Sequence, residues 1–217
     1  MDRNEIAIFG AGGFGLEVAM LIEQINAVSP KWKIVGFFDD GKTKGQIIND
    51  YPVHGGIKEL DAWPQPLGIV FALGNPVEKR TVIQKIDNNY LSFPTLIHPS
   101  VIMGNPKYVS IGEGSIICAG TIITTKIIVG RHVILNLACT VGHETSIGDY
   151  SAFMPTCNIS GEVTIGECTY WGTGAIAINR CAVGDRATIG AGAVVVRDVP
   201  PGGTAVGVPA KVIKTSP

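Results

Sequence analysis

Five dipeptides recur at one interval in this chain. Ile111-Gly112, Val129-Gly130, Ile147-Gly148, Ile165-Gly166 and Val183-Gly184 each stand 18 residues after the one before. Between them the sixth-residue positions are also mostly apolar: Ile117, Ile123, Leu135, Val141, Phe153, Ile159, Trp171, Ala177, Ile189 and Val195. Two residues ahead of such positions the side chain is usually small or β-branched, as at Ser115, Thr121, Val133, Cys139, Cys157 and Ala187. A helix of ~3.6 residues per turn cannot keep a six-residue register on one face for so long, whereas short strands bent at regular corners can. Three hexads make an 18-residue coil, so the run from Ile111 to Val195 predicts five coils of a parallel β-helix. At ~4.8 Å between stacked strands the prism would be ~24 Å long. Each coil pairs its backbone with its neighbours, and stacked inward side chains make a continuous core that no single coil possesses. An ordinary β-sandwich would show longer and less regular strand spacing.

The first ~95 residues alternate strand and helix patterns, which implies a parallel α/β sheet. Glu5–Phe9, Lys33–Phe38 and Gly68–Leu73 read as strands, and Leu91–Leu96 as a further short one. Leu16, Ala19, Met20 and Ile22 predict the inner face of a first helix, and Val82, Ile83 and Ile86 that of a helix over Val77–Ile86. The chain therefore divides into an α/β domain over 1–95 and a coil domain over 96–217. Met103-Gly104 stands eight residues before Ile111-Gly112, two more than a hexad, so Asn105-Pro106-Lys107-Tyr108 is expected to bulge from the first coil. Pro200-Pro201-Gly202 is expected to end the coil, because proline donates nothing to a ladder.

Composition excludes several classes of function. Apolar residues make up 46% and charged residues 16%, which is not the balance of a disordered chain. A formal charge of −1 gives no electrostatic reason to expect nucleic acid or an anionic membrane as partner. The N-terminus has no signal-peptide layout and no apolar run reaches membrane-spanning length. Five cysteines without a C-x-x-C pair argue against a disulfide framework or a zinc ribbon, and a cytoplasmic setting is expected.

Gly10, Gly12 and Gly15 match G-x-G-x-x-G between a strand and a helix, which alone suggests a dinucleotide site. The ~95 residues available are too few for both halves of a full dinucleotide fold. Other motifs follow: Phe37-Phe38-Asp39-Asp40, Leu73-Gly74-Asn75, Ile97-His98-Pro99, His143-Glu144 within the coil, and a Gly207-Val208-Pro209-Ala210-Lys211 ending. Together these motifs make the chain resemble, over nearly its whole length, the hexapeptide-repeat sugar acyltransferases. That group includes the UDP-bacillosamine-type N-acetyltransferases and the sialic acid O-acetyltransferases. The resemblance implies a Rossmann-like α/β N-terminal domain, a left-handed coil (handedness the hexad register leaves open), and a homotrimer with acetyl-CoA between neighbouring coils. It implies an acetyl-CoA-dependent acetyltransferase acting on a nucleotide-linked amino sugar, with no metal. O-acetylation of a sugar hydroxyl stands as an alternative, and a non-catalytic nucleotide-sugar or dinucleotide sensor as another.

His143 falls near a corner, where a solvated histidine would also sit; the resemblance implies that it is the general base. An amine or hydroxyl attacking a thioester must lose a proton, and imidazole titrates close to working pH. The resemblance implies a supporting role for Glu144, although adjacent side chains rarely face each other. Gly161 lies one coil after His143 and is either a corner glycine or, by resemblance, an amide donor to the oxyanion. For the nucleotide sugar the resemblance implies Gly12, Gly13, Phe14, Asp39, Asp40 and Gly74, with Asp39-Asp40 also readable as a plain turn after a strand. For the cofactor it implies Ala152, Thr173 and Ala191. Phe14 and Ala152 depart from relatives that carry histidine there. Only His132 and His143 lie in the repeat, which speaks against the three-histidine zinc site of the γ-type carbonic anhydrases. Cys139 and Cys157, 18 residues apart at small inward positions, are expected to stack as core thiols.

Overall fold

The computed structural model describes residues 4–215. In chain order its first part holds β1 (Asn4–Phe9), α1 (Gly13–Val28), β2 (Trp32–Phe38), β3 (Ile47–Ile48), β4 (Tyr51–Pro52), α2 (Ile57–Asp61), β5 (Leu67–Phe71), α3 (Pro76–Ile83) and β6 (Leu91–Ser92). The main sheet is parallel with strand order β2-β1-β5-β6. β1 and β5 are apolar and buried over Ile6–Phe9 and Leu67–Phe71, as strands covered on both sides must be. Phe9 pairs with Phe71, so the loops leaving β1 and β5 open side by side at the carboxyl edge of the sheet. That edge is where open α/β sheets place ligands.

Beyond β6 the chain winds into a triangular parallel β-solenoid of about six turns. Its first face runs from Leu96–Ile97 to Gly203–Val206, its second from Ile102–Met103 to Val194–Val195, and its third from Val109–Ile111 to Ala182–Val183. The 18-residue register is kept throughout: Ile117, Leu135, Phe153, Trp171 and Ile189 pair in one column. Phe153 and Trp171 stack with ring centroids 5.4 Å apart and planes 19° apart, both fully buried. Cys139 and Cys157 lie in the same core. Nearly every corner turns through one left-handed residue, among them Lys126, His132, Ala138, Glu144 and Tyr150.

The expectation of five coils falls short at both ends. The first coil is disguised by its two extra residues, which form a 3-10 turn over Pro106–Tyr108. Past the prolines one more strand, Gly203–Val206, pairs in parallel with Thr188–Ile189, and Lys211–Thr215 folds back on it antiparallel. The segment Leu91–Leu96 is likewise not one strand: Leu91–Ser92 joins the α/β sheet, whereas Leu96–Ile97 starts the coil.

The α/β part sits on the first face of the prism. Outward side chains Ile116, Ile134 and Ala152 share one buried cluster with Val18, Ala19, Leu21 and Ile22 of α1. This second contact widens the buried stripe of α1. Val18 and Leu21 are therefore inward, while Met20, expected inside, is 44% exposed. A second cluster joins Phe71 and Ile83 to Tyr150 and Cys168 at the edge between the third and first faces.

Candidate active site

The edge between the second and third faces carries His143 and Glu144. Glu144 is left-handed, with φ of 58°, and the turn swings its side chain to the side of its neighbour. His143 Nδ1 lies 3.3 Å from Glu144 Oε2, so the adjacent pair does meet within one chain. A carboxylate only accepts, so Nδ1 carries the proton and the Nε2 lone pair is left free. Lys126, one coil earlier, donates to Glu144 Oε1 at 2.8 Å. That ammonium first, and then the imidazole, hold the Glu144 carboxyl below the usual carboxylate range. The His143 side chain is half exposed.

Gly161 lies beneath the imidazole. A Cβ built there would stand 2.5 Å from His143 Nε2. Its backbone is not left-handed, so corner geometry does not require the glycine; the approach of the ring does. The Gly161 amide donates to no backbone carbonyl among the described residues.

The glycines of the N-terminal turn separate in the same way. Cβ atoms at Gly10 and Gly15 would collide with Ala72 and with the Gly10 carbonyl, so those two are needed for packing. At Gly12, Gly13 and Gly74 a Cβ would meet nothing within 4 Å. Gly12 caps α1 with no side-chain bond, and no acidic residue stands in the first turn. The first amides of a 16-residue helix are therefore open to an anion. Phe14 is partly buried against the α1 cluster. Asp39 accepts from the Ala11 and Gly41 amides, both at 2.8 Å, and Asp40 from the Ile57 amide at 2.8 Å. These carboxylates tie the glycine turn and the start of α2 to the end of β2.

A cleft of about 550 Å³ lies between the loop after β5 and the coil. Gly74, Asn75, Pro76 and Val77 form one wall; Met154, Cys168, Tyr170, Thr188 and Arg186 form the other. Sequence reasoning missed the coil side of this cleft, because outward hexad positions carry no periodic signal. Arg186 makes no ion pair among the described residues.

The structure does not bring all the expected groups together in one chain. His143 is on the edge between the second and third faces, the cleft adjoins the edge between the third and first, and Thr173 and Ala191 are exposed at the edge between the first and second. Ala152 does not stand where a cofactor contact was expected. It is fully buried beneath α1, part of the joint between the two halves, and presents no atom to a cofactor. No group of three metal-ligating side chains occurs among the described residues.

Comparison with known proteins shows the family and the fold. The PglD N-terminal domain family matches residues 5–86. GDP-perosamine N-acetyltransferase of Escherichia coli O157:H7 is 32% identical over 221 residues, spanning 99% of this chain and 98% of that protein. The acetyltransferase domain of PglB from Neisseria gonorrhoeae superposes with a TM-score of 0.87 at 33% identity, covering 97% of this chain and 100% of the other. PerB from Caulobacter crescentus, solved in complex with CoA and GDP-perosamine, gives 0.86 at 28% identity, covering 98% and 99%.

Proposed function

The chain belongs to the coil-forming nucleotide-sugar N-acetyltransferases, and we propose that its acceptor is the amine of GDP-perosamine or a close GDP-linked amino sugar. It is an acetyl-CoA-dependent enzyme. The observation that carries the assignment of the base is the set His143, Glu144 and Gly161: an imidazole with a carboxylate on Nδ1 and a bare glycine under Nε2.

In the reaction the sugar amine attacks the thioester carbonyl carbon, and His143 Nε2 takes the proton the amine loses. The tetrahedral oxyanion accepts from a backbone donor, for which the Gly161 amide is our candidate. As the C–S bond breaks, the thiolate leaves and takes its proton from the imidazolium. The products are the N-acetylated sugar and CoA, with no covalent enzyme intermediate. Gly12, Gly13 and Gly74 let the nucleotide approach the backbone, with its diphosphate at the start of α1. Arg186 is placed to read charge in the cleft.

Three groups of site residues on three edges support a homotrimer in which the edge bearing His143 meets a neighbour's cofactor edge, so that Thr173 and Ala191 line the cofactor from across the boundary. Exposed Ile102, Ile122 and Ile128 on the outer coil faces support the same reading. Five unpaired, buried cysteines and the use of acetyl-CoA favour a cytoplasmic setting.

The deciding experiment follows CoA release from acetyl-CoA with GDP-perosamine, with a UDP-linked amino sugar, and with a GDP-sugar carrying hydroxyl in place of the amine. The reading expects rapid release with the first and an amide product by mass spectrometry. Release with the hydroxyl sugar alone would move the enzyme to O-acetylation. Two variants refine the site. Gly161→Ala should lower kcat at least ~10-fold while melting like the parent, because the new methyl displaces Nε2. Arg186→Met should raise the KM for the nucleotide sugar ~10-fold with little change in kcat or in the KM for acetyl-CoA, as loss of ground-state binding does.

A further inference from the structure

Four charged residues stand 18 apart along the edge that bears His143: Lys126, Glu144, Glu162 and Arg180. All four are left-handed corner residues, with φ of 55°, 58°, 60° and 66°, so their side chains leave the prism in one column. The charges run plus, minus, minus, plus. Lys126 Nζ is 2.8 Å from Glu144 Oε1; Arg180 Nε and Nη2 are 3.1 and 3.3 Å from Glu162 Oε2 and Oε1. His143 lies against the middle of this ladder, with Glu144 on Nδ1 and its Nε2 over Gly161, the residue just before Glu162. Its own column reads Thr125, His143, Gly161 and Asn179 and holds no other titratable group.

We propose that Lys126 is a positioning residue for the base: it holds Glu144 by one oxygen so that the other faces Nδ1. The proposal rests on the reading of His143 as the base. A carboxylate on Nδ1 sets the tautomer and the orientation of the ring, so a Glu144 held in place keeps Nε2 aimed at the acceptor. Lys126 and Arg180 close the ladder at its ends. Exposed ion pairs of this kind contribute little to folding, so loss of a merely structural Lys126 would leave kcat unchanged.

The test is kcat and both KM values for Lys126→Met and Lys126→Arg. With methionine kcat should fall about threefold while both KM values stay within about twofold of the parent, as a misaligned base predicts. Arginine should restore the parent kcat. In a His143→Ala background the methionine variant should have no effect. A parent-like kcat in the methionine variant, or the same loss in the His143→Ala background, overturns the proposal. Full activity of His143→Ala would instead overturn the assignment of the base, which keeps the two failures apart.

Discussion

Replacing His143 with alanine should lower kcat by ~10²–10⁴ while leaving both KM values within a few-fold of the parent. Among the described residues the imidazole has no partner on Nε2 and bonds Glu144 through Nδ1. Its removal therefore costs proton transfer in the transition state and little in ground-state binding. Stability should hardly change, because the side chain is half exposed and packs on a glycine. The cavity left above Gly161 is open, so added imidazole should recover part of the rate. Asparagine at 143 keeps a donor for Glu144 without a base and should be as slow as alanine. The measurement is CoA release with both substrates saturating; a kcat within threefold of the parent would return His143 to the role of a solvated corner residue.

The solenoid was legible because its period is a property of the chain alone. Each coil repeats the same constraint, and Ile117 to Ile189 obey it in register. Its ends were not legible, because the Pro106–Tyr108 turn breaks the count and the strand after Pro201 has no hexad partner beyond it. Within the site, His143 and Glu144 could be read, but the reason for Gly161 could not: glycine at a corner has two explanations, and only the ring above it decides. Lys126 was findable. Subtracting 18 from Glu144 gives a lysine, and adding 18 and 36 gives Glu162 and Arg180, so the ladder is a signal in charge with the same period as the apolar register. Ala152 misled for the opposite reason. Its position along the coil says nothing about what covers the first face, and α1 covers it.

Lys79→Met should stabilise the protein. Lys79 lies four residues before Ile83 on the inner side of α3 and is fully buried, and its Nζ has no hydrogen-bond partner among the described residues. Burial pushes its pKa down to about 7. It shares the joint with His132, stacked on Tyr150 at 5.5 Å, whose Nδ1 is also unpartnered and whose pKa burial and then Lys79 push down to about 4. Above pH 7 the unfolded chain binds a proton at Lys79 that the folded chain does not, up to the ordinary lysine pKa. Stability therefore rises with pH across that window, and the full cost is felt at and below pH 7. A shift from 10.5 to about 7 sets that cost at roughly 2–4 kcal/mol once relaxation of the joint is allowed for. Methionine fills the same volume, carries no charge and removes the slope. At pH 7 the variant should melt about 5–12 °C above the parent, and the gap should shrink by more than half by about pH 9.5. Thermal melts of both proteins at one protomer concentration, from pH 6.5 to 9.5, check this. Equal melting points with parallel pH slopes would mean that Nζ reaches water or a carbonyl, and that the joint between α3 and the solenoid is open where the structure has it closed.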